Sequence, residues 1–203
     1  MSTELDDAVE LLDRALAYTR VALAGVTDES LANPTPCDGW RLGRLLAHME
    51  DALDTFIEAA SGAVRVDPPR PADTQVGILR EKACTLLGAW VRGAPAEVSV
   101  GGVGLDGALL VGTAALEVTV HGWDVGQATG RGASIPADLA SELLDLAGRV
   151  VTDTDRGGRF RHARPVSADA PPDARLLGYL GRHLTGPPGQ IPHDSGVPPR
   201  RPS

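Results

Sequence analysis

Long runs with apolar residues at helical spacing, few strand signals and a length suited to one domain predict an all-α protein. The expected architecture is an antiparallel helical bundle with a small additional element. The chain has 203 residues. At roughly 150 residues per domain this is one domain with appendages, and it can bury a core without disulfide staples. Aromatic residues are only 3% of the chain, so the core must be built mainly from Leu, Val and Ala.

The spacing predicts a first helix over residues 4–25, with Leu5, Ala8, Leu12, Ala15, Val21 and Leu23 on its apolar side. TDESLANPTPCDGW then breaks the pattern with two prolines and a glycine. Thr35 and Asp38 precede the next helix, where short polar residues cap free N–H groups. That helix is predicted over 40–60, burying Leu42, Leu45, Leu46, Met49, Leu53 and Phe56. A third helix is expected over 74–91, after Pro68, Pro69 and Pro71, with Cys84 on its apolar stripe. AEVSVGGVGLDG carries Val98, Val100 and Val103 around paired glycines, the mark of a short strand or extended excursion. A long helix follows over 107–129. Gly130 is its expected stop, because glycine relieves left-handed strain at a helix C-terminus. Pro136 is expected at the first position of a helix reaching about residue 152. A short strand at 163–166 and a short helix at 173–180 complete the reading.

The expected organisation is a bundle over residues 1–155, a small C-terminal α/β extension over 156–185 and a flexible tail over 186–203. The tail holds six of the 16 prolines and cannot bury enough apolar surface to fold. The formal net charge of −8 argues against nucleic acid, since phosphate binding needs clustered cations. No apolar run approaches the ~18 residues of a membrane span. The acidic, amphipathic N-terminus lacks a signal-peptide layout. Two cysteines, Cys37 and Cys84, are too few for a disulfide scaffold and fit a reducing cytoplasm.

The chemistry-bearing residues centre on ALEVTVHGWDVGQATG. Glu117 and His121 are four residues apart and share a helix face. A carboxylate and an imidazole at that spacing can bind one divalent cation. Asp124 follows on much the same side, placed either to orient His121 or to cap or pair with a charge. His48 lies in WRLGRLLAHMEDAL, with Arg44 one turn before it. Three N/O ligands from two helices, His48, Glu117 and His121, match a catalytic zinc-type set that leaves a position open. His162, His183 and His193 fall in turn or tail contexts and read as surface residues. Trp40 and Trp123 are expected to fill the core. Cys37, near a helix N-terminus where the dipole can lower a thiol pKa, has no histidine local to it and is read as structural, with a nucleophile as the alternative.

TPCDGWRLGRLLAH, the later EVTVHGWDVGQATG and the C-terminal APPDARLLGYLGRHL together resemble the DinB/YfiT-like superfamily. More narrowly they resemble its actinobacterial branch related to mycothiol-dependent maleylpyruvate isomerase, over roughly residues 5–184. The resemblance implies a four-helix, up-down-down-up bundle with a divalent metal between helices, commonly zinc or nickel, with iron also compatible with the donor set. It places His48, Glu117 and His121 on the metal-ligand positions, with Glu117 where many superfamily members have histidine.

The leading expectation is a metal-dependent enzyme that acts on a small electrophilic molecule through a thiol, mycothiol in that branch, as an isomerase or S-transferase. A metal lowers the pKa of a bound thiol so that thiolate is available at neutral pH. Arg44 is the candidate for recognising a substrate carboxylate, and Asp124 a candidate supporting residue. The alternatives are a metal-dependent hydrolase or biosynthetic tailoring enzyme, and a non-catalytic metal-binding helical protein. The expected partner is a small molecule, with no membrane or nucleic acid, and the protein a monomer or homodimer.

Overall fold

The computed structural model describes residues 3–37, 39–64, 76–93, 95–157 and 160–183. The fold is mostly helical with a small three-stranded sheet. In chain order come α1 (Thr3–Leu23), a 3-10 turn (Asp28–Ala32), α2 (Leu42–Ala59), β1 (Ala63–Val64), α3 (Val76–Val91), β2 (Glu97–Val100), β3 (Val103–Asp106), α4 (Gly107–Thr129), α5 (Ala137–Val150) and α6 (Pro172–Tyr179). The four long helices predicted from periodicity therefore form within about two residues of their expected bounds. None of the described helices is long and apolar enough to cross a membrane.

α4 is the centre of the packing. Among its charged and ionisable residues are only Glu117, His121 and Asp124, and its remaining surface is apolar or small. A helix apolar on nearly every side must be surrounded, and α4 buries Val111, Ala115, Val118 and Val125 among many others. Its start is capped by Asp106, whose carboxylate accepts from the Leu109 N–H at 2.8 Å. Its end is the expected one: Gly130 takes φ 68°, the left-handed conformation that glycine adopts freely.

The helix directions follow from specific contacts. Thr19 of α1 donates from Oγ1 to the Val118 carbonyl at 2.8 Å, while further along both segments Gly25 approaches Thr129 and Arg131. α1 and α4 therefore run the same way. The approach is close because position 122 is glycine: a Cβ there would lie 2.4 Å from Thr19 Oγ1. α2 and α3 also run the same way. Lys82 reaches Glu50 and Asp54 at 2.7 Å each, and Trp90, two turns on, donates from Nε1 to the Phe56 carbonyl at 3.1 Å. The sheet agrees. β1, after α2, pairs parallel with β2, after α3, through Ala63↔Ser99 and Val64↔Val100. β2 and β3 form an antiparallel hairpin across Gly101–Gly102, and Val98 is fully buried.

Several expectations are corrected. Residues 163–166 form no strand, so the C-terminal part is not α/β. The Arg164 N–H donates to the Gly178 carbonyl at 2.8 Å and Val166 packs on Gly178, so this segment clips onto α6 and has no strand partner. The strands lie earlier in the chain, and β1 had no signal in its two residues. Pro136 is the N-cap of α5 and not its first helical residue, and α5 ends at Val150. Cys84 is exposed at the border of a cavity between α1 and α3, and Val21 is 67% exposed. Thr35 does not cap α2, whose N-cap is Arg41. Its hydroxyl instead binds Trp40 O at 3.0 Å and the Cys37 N–H at 3.2 Å, closing the preceding turn. Asp38 and the proline-rich segment 186–203 lie outside the described residues.

The crowded face of α4 makes a contrast that can be measured. Gly148 in α5 is exposed and a Cβ there would meet nothing within 4 Å. Gly148→Ala should stabilise by about 0.5–1 kcal/mol through helix propensity. Gly122→Ala should destabilise by about 1–3 kcal/mol, because the added carbon overpacks against Thr19. Urea midpoints check both. A Gly122→Ala midpoint no lower than wild type would show that the α1–α4 contact yields without cost.

Candidate metal centre

Glu117, His121 and Asp124 occupy successive turns of α4 and project to one side, as helical spacing requires. α2 lays His48 beside them. His48 Nε2 lies 2.7 Å and His121 Nε2 3.1 Å from the same atom, Glu117 Oε1. The two imidazoles meet edge-on, with ring centroids 5.1 Å apart and planes at 87°. The three candidate donor atoms all lie within 4.8 Å of one another. The structure thus brings together three residues that the sequence separates by most of two helices and the segments between them.

The site has a closed side and an open one. The His121 side chain is 8% exposed, against 30% for Glu117 and 37% for His48. On the closed side His121 Nδ1 meets Asp124 Oδ2 at 3.0 Å. Asp124 is fully buried and receives two bonds from Arg182: Nη2 to Oδ2 at 2.7 Å and Nε to Oδ1 at 3.3 Å. An ionised carboxylate can only accept, so His121 Nδ1 carries the hydrogen and Nε2 faces Glu117 with its lone pair whenever the ring is neutral.

The charges explain the titration of each group. Burial would push His121 down, but the Glu117 carboxylate and then Asp124 outweigh it and raise it to about 9. Burial would raise Glu117, yet the surrounding His121 and His48 hold it well below the ordinary carboxylate range. Asp124 follows the same pattern: burial opposes its charge, and Arg182 first and His121 second keep its carboxyl low. Cys37, whose Sγ lies 3.8 Å from Arg182 Nη2, is pushed up to about 11 by burial and by Asp124, with Arg182 only partly offsetting them. Cys37, His121 and Asp124 form a second set of atoms within 4.8 Å of one another. Its Asp124 carboxylate already accepts from Arg182 and His121, and the Cys37 thiol lies against the same guanidinium, so these groups are paired within one hydrogen-bonded network.

Asp124 combines the two roles read from the sequence, since it orients His121 and forms a salt bridge. Arg44 is exposed and makes no bond to the three-residue cluster among the described residues. Its guanidinium lies 4.8 Å over the Trp40 ring, whose edge meets His48 at 4.9 Å. Trp40 is therefore half-buried at the rim and is not a core residue, whereas Trp123 is buried as expected. His162 and His183 are exposed, as expected of surface residues, and His193 lies outside the described residues.

Arg182 is the residue that sequence reasoning missed. It follows α6, where Gly181 takes φ 80° and the Arg182 N–H returns to the Leu177 carbonyl at 2.8 Å, turning its side chain back toward α4. No spacing rule links it to Asp124, which is 58 residues away. The available signal was indirect: an aspartate within a largely apolar helix demands a cation.

Removing that cation should expose the dependence. Asp124, depressed in the folded state, contributes stability that is present above its ordinary value of 3.8 and lost as pH falls through the lower folded value. Arg182→Met should cost about 3–5 kcal/mol at pH 7, the usual penalty for orphaning a buried charge. The gap from wild type should narrow below about pH 4, where the variant can protonate Asp124 without loss. Denaturant titrations across pH check this, and a penalty that does not change with pH would rule out the charge pairing as its cause.

Comparison with known proteins gives the family. The profile of the family described as mycothiol maleylpyruvate isomerase N-terminal domain matches residues 12–126. This span contains His48, Glu117, His121 and Asp124. The chain is also 29% identical over 168 residues to uncharacterized proteins of two Mycobacterium tuberculosis strains, covering 79% of this chain and 89% of the relative in each case. No solved structure gives a significant match. With more than half of its length matched, the chain belongs to the mycothiol maleylpyruvate isomerase N-terminal domain family.

Proposed function

We propose that this protein is a divalent-metal-dependent enzyme that adds a small thiol, mycothiol in this family, to an electrophilic small molecule, as an S-transferase or, where the thiol is then eliminated again, as an isomerase. The observation that carries this reading is the convergence of two imidazole Nε2 atoms on one carboxylate oxygen within 3.1 Å. The donor set fits a divalent ion: two imidazole nitrogens and one carboxylate oxygen, with His121 already oriented from behind by Asp124. His48, Glu117 and His121 are the proposed ligands, and zinc is the first candidate, with nickel and iron also suited to the set. We further read α1–α4 as the family's up-down-down-up bundle, with residues 156–185 as a separate extension packed on it.

Bound at these residues, a divalent ion supplies positive charge that holds a thiol as thiolate at neutral pH. The protein's own groups do the rest. Asp124 and Arg182 fix the His121 ring and its tautomer. The half-exposed His48 and Glu117 leave an open approach for small molecules. Trp40 and Arg44 form a rim beside that approach, where Arg44 can meet a substrate carboxylate. Cys37, with its thiol raised to about 11, stays protonated near neutral pH, so the reacting sulfur comes from the cosubstrate.

Two measurements test this reading. Purified protein should carry about one divalent ion by elemental analysis, and His121→Ala should lose it while keeping its far-UV helicity. In cobalt-substituted protein, added thiol should shift the visible spectrum. Full metal content in His121→Ala would sink the ligand assignment, and a spectrum indifferent to thiols would favour a hydrolytic or purely structural metal. Separately, Cys37 should react with iodoacetamide much more slowly than the exposed Cys84 at pH 8, and about tenfold faster per pH unit up to about 11. Cys37→Ser should keep turnover within a few-fold. Fast alkylation together with complete loss of turnover would make Cys37 the nucleophile.

A further inference from the structure

A second feature lies against the same carboxylate. Between α1 and α3 is a cavity of about 340 Å³, within the range of roughly 300–1,000 Å³ for small-molecule sites. Leu16 of α1 lies opposite Leu79 and Leu87 of α3, and Met49, Leu53 and Val118 add to the apolar walls. Thr19 also lines it, but its hydroxyl is committed to the Val118 carbonyl. Glu117 lines the cavity as well, so the cavity and the His48–Glu117–His121 cluster share one residue.

Charge is placed at the rim. Arg20 of α1 and Arg80 of α3 both border the cavity, are exposed, and have no hydrogen-bond or ion-pair partner among the described residues. Asp13 borders it too, but it lies two turns before Arg20, about 10 Å along the helix axis. That separation is about one Debye length at 0.1 M salt, so Asp13 does little to neutralise Arg20. Apolar walls would leave the hydrogen-bonding groups of a polar molecule unpaired. Two unpaired guanidiniums suit a carboxylate, which arginine can engage with two parallel bonds.

We propose that this cavity binds an organic acid with an extended apolar body, its carboxylate held by Arg20 and Arg80 and its body reaching toward Glu117. That this acid is the electrophilic substrate rests on the function proposed above; its binding does not. The acid end is then held by the arginines, and the body of the molecule lies along the apolar walls that Glu117 adjoins. Chain length between the two ends would set which acids are accepted.

The test uses octanoate and 1-octanol, titrated calorimetrically into full-length protein with and without metal. Octanoate should bind saturably at one site in both preparations, and octanol about tenfold more weakly. Arg20→Gln/Arg80→Gln, on exposed positions that do not endanger the fold, should erase the preference for the acid. Ala83→Phe, which fills the cavity from α3, should weaken both ligands, with far-UV circular dichroism confirming that it folds. If it does not fold, the arginine variant alone decides. Absence of saturable octanoate binding, or an acid preference surviving in the arginine variant, overturns the proposal. Octanoate binding by protein that takes up no metal upholds the cavity and overturns the metal-dependent function instead.

Discussion

Asp124 is a carboxylate with no exposure to water, set in a helix that is itself almost wholly buried. Left alone, it would either protonate or cost far more than a domain's net stability. Arg182 and His121 prevent both. The consequence spreads in two directions. The chain after α6 must return to α4 to deliver the guanidinium, which ties the C-terminal segment to the long helices. The His121 ring is also fixed in one tautomer, which aims its second nitrogen at Glu117. One buried charge therefore organises both a long-range tertiary contact and the geometry of the candidate metal centre.

The graded exposure of the cluster gives the site its character. His121 is almost enclosed, whereas Glu117 and His48 are progressively more open. An ion held there would be rigidly anchored from the α4 side and approachable from the α2 side. Glu117 also lines the apolar cavity between α1 and α3. A single carboxylate thus stands where a polar cluster, open approach and apolar chamber meet. That arrangement suits chemistry between a polar cosubstrate and a more apolar partner.

The helices were legible because their signal is local. The apolar stripes of α1, α2 and α3 follow 3.6-residue spacing, and the all-round apolar character of α4 marks it as central. Asp106 and Gly130 bound α4 through capping rules that act over a single turn. Legibility failed where a local pattern had two physical readings. Val166 looked like part of a strand, but the Arg164 backbone found its partner in the Gly178 carbonyl. Cys84 lay on an apolar stripe, but the stripe borders a cavity that leaves it open to water. Trp40 was assigned to the core, yet the chain folds it to the rim, where Arg44 covers its face.

By itself, the sequence determined that Glu117, His121 and Asp124 share a helix face, because the 3.6-residue repeat follows from local backbone geometry wherever the helix lands. It also determined that an aspartate in so apolar a helix would need a partner, because desolvation penalises an unpaired charge wherever the helix lands. Only the tertiary structure decided which cation answers that need, how His48 comes to face Glu117, and that a chamber edged by Arg20 and Arg80 opens beside them. Those contacts join residues whose separation along the chain carries no geometric rule. They exist because burying the apolar faces of α1, α2, α3 and α4 together admits few arrangements, and the polar residues are carried to wherever that packing places them.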